Sequence, residues 1–124
     1  MIELSHEWNS KDFIHARNEA AVLKGEFEGR EKSTYPVLSE NRRLGDWIYI
    51  SMIAHFFERL SYIELSAQIS RKNAHLEFYE AIEYWHDFLV EVYLFDEKNE
   101  ERMRKTLTWL RDEYRKTANE KQHP

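Results

Sequence analysis

The segment WIYISMIAHFFERL, residues 47–60, is apolar on most sides when it is drawn as a helix. A helix with apolar side chains nearly all round must be covered by neighbouring elements on several sides. The segment therefore predicts the central helix of an all-α bundle. This helix is predicted to begin between Glu40 and Asp46 and to end near Leu65.

The helix before it is predicted over about Lys11–Lys24. Ser10 can accept a hydrogen bond from a free backbone N–H at the helix start, and Gly25 suits a left-handed helix end. The inward face of this helix consists of Phe13, Ala16, Ala20 and Leu23. Gly25, Gly29 and Pro36 then indicate one long loop between the first and second helices.

Two more helices follow, over about Asn73–Phe95 and about Asn99–Thr117. The inward stripe of the third helix consists of Phe78, Ile82, Trp85 and Leu89, and that of the fourth consists of Met103, Leu107, Leu110 and Tyr114. No strand-like alternation occurs in the sequence. We therefore predict an all-α, single-domain bundle of four main helices over residues 1–124, with frayed ends at about 1–9 and 118–124.

Composition excludes several classes of function. The chain has 124 residues, a formal net charge of −5 and no cysteine. Without cysteine there can be no disulfide, thiolate metal site or cysteine nucleophile, and a cytoplasmic location is favoured. The longest apolar stretch, Trp47–Phe57, is far below the ~20 residues of a membrane helix. We expect a soluble protein without membrane contact, and the negative charge argues against a nucleic-acid partner.

Acidic and basic residues are divided between the last two helices. Leu76–Glu101 contains nine acids and one base, whereas Arg102–Lys116 contains six bases and two acids. This division predicts that the two helices pack antiparallel with complementary flanks. Alternatively, the last helix offers a basic face to an acidic partner.

Glu83 and His86 have the spacing of half a metal site. Carboxylate-bridged di-iron bundles use Glu-x-x-His twice, with two further Glu residues. Here the second copy would be Glu120-x-x-His123, in the tail that is predicted to fray. At 100° per residue, the inward stripe of the third helix lies about 70° from His86 and about 130° from Glu83. We therefore predict that this helix only packs and that no cofactor is bound, and we keep a metal-binding bundle as an alternative.

No arrangement of catalytic residues is present. No Ser lies in a nucleophile elbow, and three glycines cannot build a phosphate-binding loop. His55, inside the most apolar segment, is predicted to be a core residue with one hydrogen bond. The chain is therefore predicted not to be an enzyme.

Arg17 and Glu58 form a candidate structural ion pair. Arg17 borders the inward face of the first helix, and Glu58 ends the apolar run of the second. If the two helices cross at these residues, a bidentate pair would fix their register. The alternative is two independent surface charges.

Three segments also carry a resemblance: WNSKDFIHAR (8–17), IAHFFERLSYI (53–63) and FYEAIEYW (78–85). In order and spacing they resemble a group of small bacterial and phage-associated helical proteins classed as a domain of unknown function. The resemblance implies a helical fold and no particular activity. It also implies structural roles for Phe13, Arg17, Phe57, Glu58 and Trp85. Members of that group often begin with a membrane segment, which this sequence lacks.

Aromatic residues are abundant, with four Trp, seven Tyr and seven Phe. Four short helices cannot cover all of them, and uncovered aromatics are typical of binding surfaces. We therefore predict a non-enzymatic helical binding module that acts through protein–protein interaction, of an inhibitor, immunity or regulatory type. The candidate contact residues are Arg42, Arg43, Trp47, Tyr49 and Tyr84. The alternative is a homodimeric structural protein that buries the apolar surface of its second helix against a second copy.

Overall fold

The computed structural model describes residues 2–28, 44–65, 71–94 and 101–122. Apart from a turn at Asn9 and Ser10, these ranges are entirely helical and contain no strand. The helices are α1 (Ile2–Trp8), α2 (Lys11–Glu28), α3 (Leu44–Leu65), α4 (Arg71–Leu94) and α5 (Glu101–Gln122). The predicted all-α class is confirmed for this part of the chain. The predicted long loop falls on residues 29–43, outside the described residues.

Ser10 caps the start of α2, as predicted. Its hydroxyl oxygen accepts a hydrogen bond from the backbone N–H of Phe13 at 3.3 Å. The same hydroxyl donates to the carbonyl oxygen of Glu7 at 2.8 Å. One side chain therefore caps the start of α2 and joins it to the end of α1.

α2 continues past Gly25 and ends at Glu28, whereas the sequence predicts an end at Lys24. Gly25 does not adopt the left-handed conformation of a helix-ending glycine. An ion pair between Lys24 and Glu28, one turn apart, spans the glycine. A glycine within a helix costs about 1 kcal/mol relative to alanine, which the packing of α2 outweighs.

The prediction that residues 1–9 fray is wrong for Ile2–Trp8, which form α1. Leu4 and Trp8, one turn apart, are both buried. The Trp8 ring lies 4.8 Å from the Phe56 ring and 5.4 Å from the Phe57 ring. A seven-residue helix is unstable alone, so these contacts with α3 hold it.

The other end of the chain also differs from its prediction. α5 extends to Gln122, so the predicted fraying of 118–124 is wrong over 118–122. Its inward stripe runs the full length of the predicted helix, and the added residues continue the same helix beyond Thr117.

The core consists of the predicted stripes. All twelve side chains of the inward faces predicted for the first, third and fourth helices are buried. α3 packs against α2, α4 and α5, which is the position predicted for the central helix. None of the described helices has an apolar stretch long enough to cross a bilayer.

α4 and α5 pack antiparallel with complementary charges, as predicted. Arg115 donates two hydrogen bonds to Glu83, at 2.6 and 2.9 Å. Arg111 Nη1 lies 3.6 Å from Asp87 Oδ1. Because the residue number rises along α5 as it falls along α4, the two pairs define an antiparallel register.

Candidate functional site

Within the described residues, α3 has one stripe that its neighbouring helices cover only in part. The stripe consists of Ile48, Ser51, Met52, His55, Arg59 and Tyr62. Its first half is mainly apolar, and Ile48 is 50% exposed. The prediction that His55 lies in the core is wrong, because its side chain is 51% exposed. This stripe is the face that α3 can offer to a partner.

An open cleft of about 410 Å³ lies along the first half of the stripe. We call it the α3 cleft. Its lining residues are Glu7, Phe13, Trp47, Ile48, Ser51, Met52, His55 and Arg59. Four of these eight side chains are large and apolar. An apolar depression with a few polar groups at its edge suits the insertion of a partner's side chains.

Glu7 and Arg59 give the α3 cleft a fixed polar edge. Arg59 donates two hydrogen bonds to the Glu7 carboxylate, one of them at 2.9 Å. The Arg59 guanidinium also lies 5.8 Å from the centroid of the Phe56 ring. A bidentate pair of this kind holds both side chains in one orientation. It also joins α1 to α3, so α1 contributes to the site as well as to the core.

The candidate contact residues Trp47 and Tyr49 lie in different surroundings. Trp47 lines the α3 cleft, and its ring packs 5.2 Å from that of Tyr93. Tyr49 faces α2, where its hydroxyl lies 3.1 Å from His15 Nε2 and the two rings meet edge to face. Both side chains are partly buried against another helix of the same chain, and Trp47 also lines the α3 cleft.

Tyr84 lies in a separate groove between α2 and α4. Its side chain is 49% exposed, and Lys24 Nζ lies 4.5 Å from the ring centroid. The groove has a volume of about 350 Å³, and its other lining residues are mostly acidic. Tyr84 and Trp47 thus belong to two different surfaces. Arg42 and Arg43 lie outside the described residues.

The predicted ion pair between Arg17 and Glu58 does not form. Arg17 Nη2 donates to the carbonyl oxygen of Trp8 at 3.0 Å, and the guanidinium lies 4.5 Å from the Trp8 ring centroid. Glu58 instead lies 2.6 Å from Arg102 Nη1 and 3.1 Å from His55 Nδ1. The sequence prediction had no α1, and α1 supplies the groups that bind Arg17.

Glu83, one of the two candidate metal ligands, is bound by α5. Its carboxylate accepts both hydrogen bonds from Arg115, which lowers the pKa of Glu83 and raises that of Arg115. A cation at Glu83 would have to displace this guanidinium. Within the described ranges, no group of three or more His, Asp or Glu side chains has the arrangement of a metal site. The tail copy, Glu120–His123, lies outside the side chains that the structure describes.

His86, the other candidate ligand, is buried between α4 and α5. Its Nε2 lies 3.0 Å from the hydroxyl oxygen of Thr108. Its Nδ1 lies 2.7 Å from Asp87 Oδ1 and 3.0 Å from Arg111 Nη1. Nδ1 can donate to the carboxylate or accept from the guanidinium, but not both at once. Burial lowers the pKa of His86, and the hydrogen bond from His86 lowers that of Asp87.

Sequence reasoning did not find this four-residue network. Thr108 and Arg111 are three residues apart on α5, so they share a face of that helix. The sequence shows this spacing, but only the register of α4 against α5 places it opposite His86.

No protein-family profile, curated protein or solved structure matches the chain.

Proposed function

We propose that the protein is a non-enzymatic binding module that holds a segment of another protein in the α3 cleft. The observation that supports this is the apolar lining that the described residues leave partly exposed, in which Trp47, Ile48 and Met52 lie beside the fixed Glu7–Arg59 pair. Interfaces derive most of their affinity from a few apolar anchors surrounded by polar groups. The α3 cleft has this composition.

An amphipathic helix is the occupant that fits best. The stripe follows one helix, so a second helix could lie along it with apolar side chains one turn apart. Because Glu7 neutralises Arg59, the cleft selects for apolar side chains more than for charge. The proposed partner segment is therefore apolar on the face that enters the cleft.

The polar side chains that could take part in catalysis have structural contacts that suit a binding module. Glu83, His86 and Glu58 each bind a residue of α5. We also propose that α2–α5 form one four-helix bundle. A cytoplasmic location remains part of the proposal, since a chain without cysteine is compatible with a reducing compartment.

Affinity capture with matched variants tests the proposal. Ile48→Arg places a charge in the α3 cleft, and Val22→Arg places the same charge on an exposed site of α2, where Val22 is 63% exposed. Both positions are open to solvent, so both variants should fold. In extracts of the cells that encode the chain, we expect a protein retained by the wild type and by Val22→Arg. We expect Ile48→Arg to lose it about tenfold, since one buried apolar anchor is worth about 1–2 kcal/mol.

Two results would contradict the proposal: equal retention by both variants, or no retained protein. Light scattering of the purified chain measures its oligomeric state and so distinguishes the homodimer alternative from binding of a different protein. If the wild type is a dimer and Ile48→Arg is a monomer, the cleft binds a second copy instead of a different protein.

A further inference from the structure

A second surface lies on α5, where one ridge separates two clefts. Lys105 and Trp109 line both clefts, and we call these two residues the α5 ridge. The cleft between α3 and α5 has a volume of about 210 Å³. The cleft between α4 and α5 has a volume of about 410 Å³. A bound segment that crosses the ridge could therefore place side chains on both sides of Trp109.

Apolar side chains remain uncovered beside the ridge. Tyr62 is 49% exposed and Leu65 is 64% exposed, and both line the smaller cleft. Along α3, Tyr62 lies fourteen residues from Ile48, which corresponds to about 21 Å at the rise of an α-helix. Arg59, which lines the α3 cleft, and Tyr62 are only three residues apart, so the α5 ridge and the α3 cleft are neighbouring surfaces that share no lining residue.

The described residues at the ridge carry three positive and two negative side chains, which are Arg102, Arg104 and Lys105 against Glu58 and Glu101. The Lys105 side chain is 76% exposed, and its contact is with Glu101, which is itself 68% exposed. The Arg102 side chain is 66% exposed, although its partner Glu58 is buried. The ridge is therefore slightly basic, by one charge, on a chain with a net charge of −5, and Lys105 with its exposed partner is the cation most open to exchange. A basic patch of this kind attracts acidic groups and orients them as they approach.

We propose that the α5 ridge binds an acidic peptide segment that carries an aromatic or aliphatic side chain. A carboxylate of the segment would replace the exposed Glu101 as the partner of Lys105, and its apolar side chain would enter a cleft beside Trp109. The protein nature of the partner rests on the proposed function, but the surface does not overlap the α3 cleft. A nucleic acid fits less well, because the patch is small and the rest of the molecule repels a polyanion.

Selection from a random twelve-residue peptide library, displayed on phage, tests this inference. The library is selected on the wild type, and the enriched peptides are measured on Lys105→Glu and on Lys116→Glu. Lys116 is a matched control, since it is on the same helix, its side chain is 69% exposed and it also has a short-range glutamate contact. We expect enriched peptides with a negative net charge and at least one aromatic or aliphatic residue. Lys105→Glu should weaken them roughly tenfold, with little effect of Lys116→Glu.

Several results would overturn the inference. They are an absence of enriched peptides, enrichment without acidic character, or equal loss of binding in the two lysine variants. Tighter binding of a single-stranded 20-nucleotide DNA than of the best peptide would assign the ridge to nucleic acid. The Ile48→Arg variant should bind the peptides as the wild type does, so failure here and failure of the proposed α3 cleft can be told apart.

Discussion

At residue 86, one imidazole nitrogen faces both a carboxylate and a guanidinium. Neutral His86 can accept from Arg111 through Nδ1 while it donates to Thr108 through Nε2. Protonated His86 donates from Nδ1 to Asp87 and loses the hydrogen bond from Arg111. The tautomer and protonation state of this buried side chain thus decide whether Nδ1 binds Asp87 on its own helix or Arg111 on α5.

This arrangement predicts a pH dependence of stability. Because burial lowers the pKa of His86, the unfolded chain binds this proton more readily than the folded chain. Stability is therefore greatest above the ordinary histidine pKa of about 6.5 and falls as the pH drops below it, by at most about 1.4 kcal/mol per pH unit. The lowered pKa values of Glu83 and Asp87 act in the same direction at a lower pH.

The measurement is urea unfolding of the wild type and His86→Gln between pH 8 and pH 5. Glutamine keeps a donor and an acceptor but does not titrate, so we expect a smaller slope of the free energy of unfolding against pH. The remaining histidines are unchanged, so the difference between the two slopes belongs to His86. Equal slopes would contradict the assignment.

Gly25 is the second position at which the structure predicts the effect of a single substitution on stability. A Cβ atom added there would meet no atom within 4 Å, and the site is exposed within α2. Gly25→Ala should raise the free energy of unfolding by about 0.5–1 kcal/mol, because alanine loses less backbone entropy in a helix. Thermal and urea unfolding measure the change. A destabilised variant would mean that α2 ends at this glycine after all.

Among the helices, α1 is the one that the sequence did not predict. Trp8 packs against three phenylalanine rings of α2 and α3 and supports the Arg17 side chain. Trp8→Ala should therefore cost about 3–5 kcal/mol, the range for a large aromatic removed from a core. Circular dichroism during urea unfolding measures it, with the partly exposed Trp109→Ala as the comparison. A cost below about 1 kcal/mol would restore the predicted frayed N-terminus.

The inward stripes could be predicted because helical spacing alone determines them. Met103, Leu107, Leu110 and Tyr114 recur every three or four residues, and every one is fully buried. α1 gave a weaker signal, since Leu4 and Trp8 make only one repeat. Its stability depends on contacts with α3, which no local pattern contains.

Ion pairs between helices could be predicted from the sequence only where one helix is mostly acidic and its neighbour is mostly basic. The acidic α4 and the basic α5 indicated their antiparallel contact, and Glu83–Arg115 follows from it. The predicted Arg17–Glu58 pair depends on where two particular helices cross. In the structure Arg17 binds Trp8 and Glu58 binds Arg102 instead, and the sequence alone does not show which of these groups lie within reach.

At the scale of the whole molecule, two adjacent surfaces lie on one central helix and its neighbour. The α3 cleft is apolar with a neutralised charged edge, whereas the α5 ridge is aromatic and slightly basic. A module with two unlike surfaces can hold two segments of one partner or join two partners. The net charge of −5 on the whole chain would limit nonspecific contacts with polyanions.

Site-specific photo-crosslinking in living cells tests the proposed binding of another protein in the α3 cleft, with benzoylphenylalanine at position 48 or, as the control, at position 22. We expect one discrete adduct with a different protein from position 48 and none from position 22. No adduct from position 48, the same adducts from both positions, or an adduct with a second copy alone would contradict it.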